Sequence, residues 1–416
     1  MSSSKPRPIS PREVPALRDL MDACFSPNES RWRENFPGWL RQYPNFRGLR
    51  LDLSRSIWRG GRIAACVGVY ERNLRIGRAL VRTCGIGGVG CIEDFRRQGY
   101  AAECMEAVLE ASRKDGMTFS LLHGIERYYQ RFGFTGCMPY YQLKLPVAAL
   151  KDLKAPLKVA PWRAGWMKRA VEFYNLCSKD TPGSVARTAD VFTHAFARWN
   201  LHRAAQNAKN GAFFAFVNPR KPAELRAYLV WKNGALSEAA YDPDDRDATS
   251  SLLAWMRDQR QTAVEKYLYF DGLCAAHPLW RFARRYNHTA ETRFTWSGGW
   301  MGKVLDVKGF IELLKPEFES RLTRSGLECE GHALFTVDGG QHALLLNRAH
   351  HLALSPLMDR ATLGARVTCT QQTLLQLVLG TQPWDAYPDL KVDGERALMR
   401  VLFPESTPHL YPLDAF

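Results

Sequence analysis

Residues 96–101 read Arg96-Arg97-Gln98-Gly99-Tyr100-Ala101, and their types suit the holding of a polyanion. The first N–H groups of a helix have no intrahelical acceptor and sit at the positive end of its dipole. A helix that begins at Tyr100 therefore offers a ready phosphate site, continued by Ala102. Gly99 carries no Cβ to hold phosphates away, and Ala101 permits close approach. Arg96 and Arg97 add charge-assisted donors. Only three positions of the pattern are fixed (Gln or Arg, then Gly, then Gly or Ala), so its weight comes from context. An apolar, glycine-rich strand candidate (residues 83–92) precedes it. A helix candidate (100–113) follows, with Ala101, Met105, Val108 and Leu109 at helical spacing.

About thirty residues on, the chain reads Tyr128-Tyr129-Gln130-Arg131-Phe132-Gly133-Phe134. Together the two stretches resemble the GNAT superfamily of acetyl-CoA-dependent N-acetyltransferases. The resemblance implies acetyl-CoA as co-substrate and no metal. It implies that residues 96–102 cradle the coenzyme pyrophosphate. Val89, Gly90 and Cys91 become the end of a central strand that splays from its neighbour and pairs with the pantetheine arm. Gly124 and Ile125 join the coenzyme-binding set. Tyr129 corresponds to the family tyrosine near the sulfur, where a phenol acts as general acid; Tyr128 is the weaker candidate. Without the motif, a tyrosine here reads as an aromatic packing residue.

Gly85-Ile86-Gly87-Gly88-Val89-Gly90 also matches the dinucleotide fingerprint Gly-x-Gly-x-x-Gly. That fingerprint needs a helix directly after it. Here Cys91 to Phe95 intervene, so a bulged strand or a close ligand approach is the better reading. The ten cysteines include no Cys-x-x-Cys pair, which argues against structural zinc and a disulfide framework and for buried thiols. The net charge of +15 is spread along the chain without a long basic block, and no nucleic-acid-binding signature is present. No apolar run is long enough to span a membrane and no signal-type segment follows Met1, so a cytoplasmic protein is expected.

The alternation of strand and helix candidates predicts a mixed α/β (α+β) chain of three segments. Residues 1–150 contain a helix at 15–24, a second around Trp32 and Trp39, strands at 63–70 and 79–92, the site helix, and strands at 118–123 and 140–145. A linker is expected at 146–161. Residues 151–295 repeat the order, but the turn matching 96–101 reads Asp242-Pro243-Asp244-Asp245-Arg246-Asp247, which would repel a pyrophosphate. Residues 296–416 read as helix, strands and helix.

This order resembles the enhanced intracellular survival (Eis) family: an active GNAT domain, a degenerate one, and a sterol carrier protein-like domain with a C-terminal tail. The resemblance implies a homo-oligomer, a hexamer in the family, and an amine acceptor such as an aminoglycoside, a polyamine-like molecule or lysine. It also implies that the terminal carboxylate of a final Phe, here Phe416, is the base. Leu410, Tyr411 and Leu413 suit a docked tail. Glu93 is the rival base; Glu126 reads as solvated and His123 as a loop or core histidine. Asp22, Glu29, Glu34 and Asp414 are candidate carboxylates for a polycationic acceptor. The alternative class is a lipid-binding protein of sterol carrier type with a vestigial acyl-CoA site. A nucleic-acid or peptide binder would need a contiguous basic face that the sequence lacks.

Overall fold

The computed structural model describes residues 5–25, 48–198, 212–260, 266–327, 331–346, 352–355 and 363–416. The expected helix around Trp32 and Trp39, with Glu29 and Glu34, lies outside the described residues. The chain divides into two compact units, one of residues 1–138, 295–406 and 416, the other of 139–294 and 407–415.

The first unit is built on a seven-stranded sheet. Its strands are β1 (Arg7–Pro8), β2 (Arg55–Arg59), β3 (Arg62–Ile76), β4 (Ala79–Cys91), β5 (Phe119–Gly124), β6 (Thr135–Met138) and β14 (Gly299–Val304). The order is β1-β2-β3-β4-β5-β14-β6, and β4–β5 is the parallel pair. The helices α1 (Val14–Phe25) and α2 (Tyr100–Lys114) belong to this unit. Apolar α2 residues Cys104, Met105, Val108 and Leu109 bury against Val67, Val69, Cys84 and Ile86 of β3 and β4. That burial, at roughly 25 cal/mol per Å² of apolar surface, fixes where the helix start points.

The second unit holds β7 (Tyr140–Pro146), β8 (Lys158–Ala160), β9 (Ala212–Asn218), β10 (Lys221–Lys232), β11 (Ala235–Tyr241), β12 (Tyr267–Phe270) and β13 (Thr289–Arg293). They run β13-β7-β12-β11-β10-β9-β8, with β11–β12 parallel. Its helices are α3 (Met167–Ser178), α4 (Ala189–Arg198), α5 (Arg246–Arg260) and α6 (Pro278–Ala283). Two strands depart from the expected segments. Strand 140–146, expected to close the first sheet, lies in the second; residues 299–304, which fall in the expected third segment ahead of its first helix, form a strand of the first sheet. The supposed linker 146–161 contains a 3₁₀ turn (Val147–Leu150) and β8.

The tail residues 407–415 are docked in this second unit. Leu410 and Tyr411 are buried, and Asp414 accepts from Arg187 Nε at 2.8 Å and from Tyr174 Oη at 3.0 Å. Arg187 also donates twice to Glu238, both at 2.6 Å, and all three charged side chains are buried. Such a cluster is tolerable only because each charge is paired and hydrogen-bonded.

Residues 296–416 contribute a third, five-stranded sheet to the first unit: β15 (Gly331–Val337), β16 (Gly340–Leu346), β17 (Leu352–Ser355), β18 (Leu363–Cys369) and β19 (Lys391–Gly394), in the order β17-β16-β15-β18-β19. Its helices are α7 (Val307–Ser325), α8 (Gln371–Leu379) and α9 (Arg396–Leu402). Buried Glu317 of α7 accepts from Arg78 N at 2.8 Å, and Gln376 of α8 donates to the Gly136 carbonyl at 2.7 Å. These bonds tie the third sheet's helices to the first sheet.

His409 of the tail is buried, its Nε2 lies 3.0 Å from the Gly272 carbonyl, and burial pulls its pKa down to about 4 from 6.5. The unfolded imidazole takes up its proton near pH 6.5 and the folded one only near 4, so the unfolded state binds more protons between them. Stability should therefore fall as pH drops through this window, by about 3 kcal/mol for the whole shift. Denaturant melts at about pH 7 and about pH 4.5 should show this loss, and His409→Gln should reduce it.

Candidate active site

The β4–β5 ladder runs from Thr83↔Phe119 to Ile86↔Leu122 and stops, while β4 continues to Cys91. The two strands thus part, and the backbone from Gly87 onward has no ladder partner on the β5 side. On its other side β4 remains paired to β3. There Cys66 faces Gly90 and Gly68 faces Gly87, so Gly88 and Val89 stand opposite Val67 alone. This is a bulge, with Gly88 at φ +60°. Val89, within the bulge, and Gly90 and Cys91, just past it and still paired to β3, line a cavity of about 660 Å³.

The far wall of the cavity is the start of α2. Gly99, the N-cap, has φ +85°, a left-handed conformation that favours glycine, and provides no side-chain cap. Arg97 also lies at positive φ, +63°. The first intrahelical bond is Glu103 N to Gly99 O, so the N–H groups of Tyr100, Ala101 and Ala102 lack intrahelical acceptors. Arg96, Arg97, Gly99, Tyr100, Ala101 and Ala102 all line the cavity. Gln98 does not; its amide donates to the Asp94 carbonyl at 3.2 Å and closes the turn. Arg59 supports Tyr100, donating to its hydroxyl at 3.1 Å with the guanidinium over the ring.

Ile125, Tyr128 and Tyr129 complete the opposite wall. Gly124 sits behind it, where a Cβ would come within 3.1 Å of the Tyr129 ring. Tyr129 is 7% exposed and packs edge-on against Tyr128 at 4.9 Å. Burial, with a smaller contribution from Tyr128, pushes its phenol up to about 12. It therefore keeps its proton across the neutral range. Sequence reasoning missed four lining residues: Cys24 and Phe25 at the end of α1, Phe95, and Arg131. Arg131 had a signal, since it lies within the tyrosine motif, and its guanidinium sits 4.2 Å over the Tyr128 ring.

Phe416 does not line the cavity. It belongs to the first unit, stacked on Tyr70 of β3 at 6.2 Å and edge-on to Trp300 of β14 at 6.0 Å. Glu93 is exposed in a 3₁₀ turn after β4 and does not line the cavity either. Glu126 is exposed and paired with Arg127 at 3.4 Å. His123 lies edge-on to Trp300 at 5.2 Å, and burial lowers its pKa. Asp22 is half-buried on α1 and does not line the cavity.

The second unit offers a direct contrast. Its α5 has the same 15-residue length as α2 and also follows the parallel strand of its sheet. Asp245 precedes it; its Oδ1 accepts from Ala248 N at 3.0 Å and its Oδ2 from Arg226 at 2.6 Å. The helix start is thus capped by the chain's own carboxylate. The adjoining cavity, about 550 Å³, is lined by five carboxylates (Glu224, Asp242, Asp244, Asp245 and Asp247) against three guanidiniums (Arg169, Arg226 and Arg246).

Residues 5–137 match the family model described as acetyltransferase (GNAT) domain. A comparison with curated protein sequences gives no match. Among solved structures, the chain is similar to a GCN5-related N-acetyltransferase from Kribbella flavida (18% identity, 99% of this chain and 100% of that one, TM-score 0.67). It is similar to another from Anabaena variabilis (13%, 99% and 100%, TM-score 0.66). It is also similar to Eis1 from Mycobacterium abscessus (11%, 99% and 100%, TM-score 0.61). At these identities the likeness is one of fold, and it runs the length of the chain. Residues 5–137 thus match an acetyltransferase (GNAT) domain, and the chain as a whole has the fold of these GCN5-related N-acetyltransferases.

Proposed function

We propose that the protein transfers an acetyl group from acetyl-CoA to a primary amine, of a small molecule such as an aminoglycoside or polyamine, or of lysine. The observation that carries this reading is the single cavity that joins the parted end of β4, the uncapped start of α2 and the buried Tyr129. The uncapped N–H groups and Arg96 and Arg97 suit the pyrophosphate. The backbone of Val89 to Cys91 suits an extended amide-bearing arm. Gln98 shapes the turn, and Gly124 and Ile125 back and border the wall beside the tyrosine.

In the reaction the amine nitrogen bonds to the thioester carbonyl carbon and the carbon–sulfur bond breaks. The amine must first be neutral, which costs roughly 4–5 kcal/mol at pH 7 for a group of pKa about 10.4. The Phe416 carboxylate is our choice for the group that takes this proton, because its carboxyl carbon lies against Gly87, where β4 parts from β5, whereas Glu93 is exposed in the turn after β4. The departing sulfur develops negative charge. A thiol near pKa 8.5 is more acidic than a phenol at about 12. Complete transfer from Tyr129 is then uphill by roughly 5 kcal/mol. Tyr129 thus acts by holding its proton against the sulfur as the bond breaks, and solvent protonates the thiolate afterwards.

The likeness of fold to Eis1 along the chain supports the Eis-type architecture, a second GNAT-like half without coenzyme and a sterol carrier-like third part; a cytoplasmic location and a homo-oligomer belong to the same proposal. Among the described residues no helix is long and apolar enough to cross a membrane.

Calorimetric titration with acetyl-CoA should give binding, and silence at millimolar ligand would overturn the proposal. Tyr129→Phe should lower kcat by about 100-fold and leave the acetyl-CoA Kd nearly unchanged. Extending the chain by one glycine after Phe416 converts the carboxylate to an amide. This should lower kcat by about 100-fold or more, and an unchanged kcat would remove Phe416 from the mechanism.

A further inference from the structure

Part of the glycine run 85–90 has no role in the coenzyme reading. Gly88 and Gly90 belong to the bulge and the cavity, but Gly85 and Gly87 precede both. Neither has a positive φ. Conformational freedom is therefore not what glycine provides there, and space is. The two lie on one face of β4, at period two. A Cβ on Gly85 would come within 2.8 Å of the Phe416 ring and 2.7 Å of the Tyr70 carbonyl oxygen. A Cβ on Gly87 would come within 2.9 Å of the Tyr70 ring and 3.0 Å of the Phe416 carboxyl carbon. Contacts this close displace one partner or the other.

Phe416 is thus held from three strands. β4 provides the floor with its two missing side chains. Tyr70 of β3 stacks on the ring with an interplanar angle of 15°. Trp300 of β14 meets it at 67°. Both walls are nearly buried, Tyr70 at 5% and Trp300 at 7% exposure, so their own rotamers are fixed by packing.

We propose that Gly85 and Gly87, walled by Tyr70 and Trp300, form a slot that seats Phe416 and aims its carboxyl group along β4. The two glycines are then positioning residues for the base. The inference rests on the reading of the Phe416 carboxylate as that base. Gly87 precedes Val89, the first cavity-lining residue of β4, by two residues across the bulge. A carboxylate at Gly87 therefore lies just before the stretch of β4 that borders the cavity. The β4–β5 ladder ends at Ile86↔Leu122, between the two slot glycines.

Carboxypeptidase digestion of the folded protein reads the slot without reference to activity. Release of Phe416 should be slow in the native chain and at least about tenfold faster in Gly87→Ala, at unchanged Tm, because a seated end must open before it is cut. Equal release rates would overturn the slot. In the acetyl-transfer assay Gly87→Ala should lower kcat about tenfold or more while the KM for acetyl-CoA holds, the pattern of a displaced base. Loss of acetyl-CoA binding instead would mark a merely structural defect and count against it. Tyr70→Leu, which removes the stacked wall, is read in the same two assays if Gly87→Ala does not fold. The one-glycine extension separates the two ideas. Full kcat in the extended chain with fast release in Gly87→Ala retains the slot and discards the base. Lost kcat in the extended chain with equal release rates does the reverse.

Discussion

Everything proposed for the first unit depends on one break in hydrogen bonding, the end of the β4–β5 ladder after Ile86↔Leu122. A parallel pair inside a sheet normally continues, because an unmade backbone bond away from water costs free energy comparable to a lost hydrogen bond. Here β4 continues for five residues past the break, to Cys91. A bulge on the β3 side twists it further, and the wedge that opens is where the cavity forms. The strand end offers N–H and C=O groups to a ligand's amide-bearing arm. The helix that follows offers N–H groups to its phosphates. One chain reversal, residues 92–99, thus sets both halves of the proposed coenzyme site.

The sheet that carries this break is held from outside its own segment. β14 lies between β5 and β6 and pairs with both, with Trp300 opposite His123 and Met138. Removing it would leave β6 without a neighbour and would remove a wall of the Phe416 slot. β7 holds the corresponding place in the second sheet, between β12 and β13. Each sheet therefore takes one strand from beyond its own stretch of sequence. Neither of the sequences 5–138 and 147–294 makes a complete sheet by itself, which gives a physical reason for the two halves to exist in one chain.

How much of this is legible in the sequence depends on whether a feature is local. The start of α2 is legible to the residue, because an N-terminal glycine, flanking arginines and a 3.6-residue apolar period all sit within 20 positions. Tyr129 is legible through a compact aromatic motif. The docked tail is legible in Leu410, Tyr411 and Leu413, which are all buried. The exchange of β7 and β14 is not legible, since Tyr140–Pro146 reads as a strand whichever sheet receives it. Cys24 and Phe25 reach the cavity only through the packing of α1, which has no signature beyond its apolar face. Gly85 and Gly87 were visible as glycines, but the side chain they make room for lies more than 300 positions away.

The same physics explains why one half of the chain reads as a coenzyme site and the other does not. Two helices of equal length follow the parallel strands of two sheets of matching order. At α2 the N-cap is a glycine with no side chain to offer, so the terminal N–H groups and the positive end of the dipole face the cavity. At α5 Asp245 satisfies a first-turn N–H itself and is in turn paired with Arg226. Three further aspartates surround it. An N-terminal carboxylate stabilises its own helix by about 1 kcal/mol, and it occupies the donors and the charge that a phosphate would use. The second helix start is thus the better capped and the first is the one left open. The first unit forgoes that local stabilisation at Gly99, and a bound polyanion is the partner that restores it.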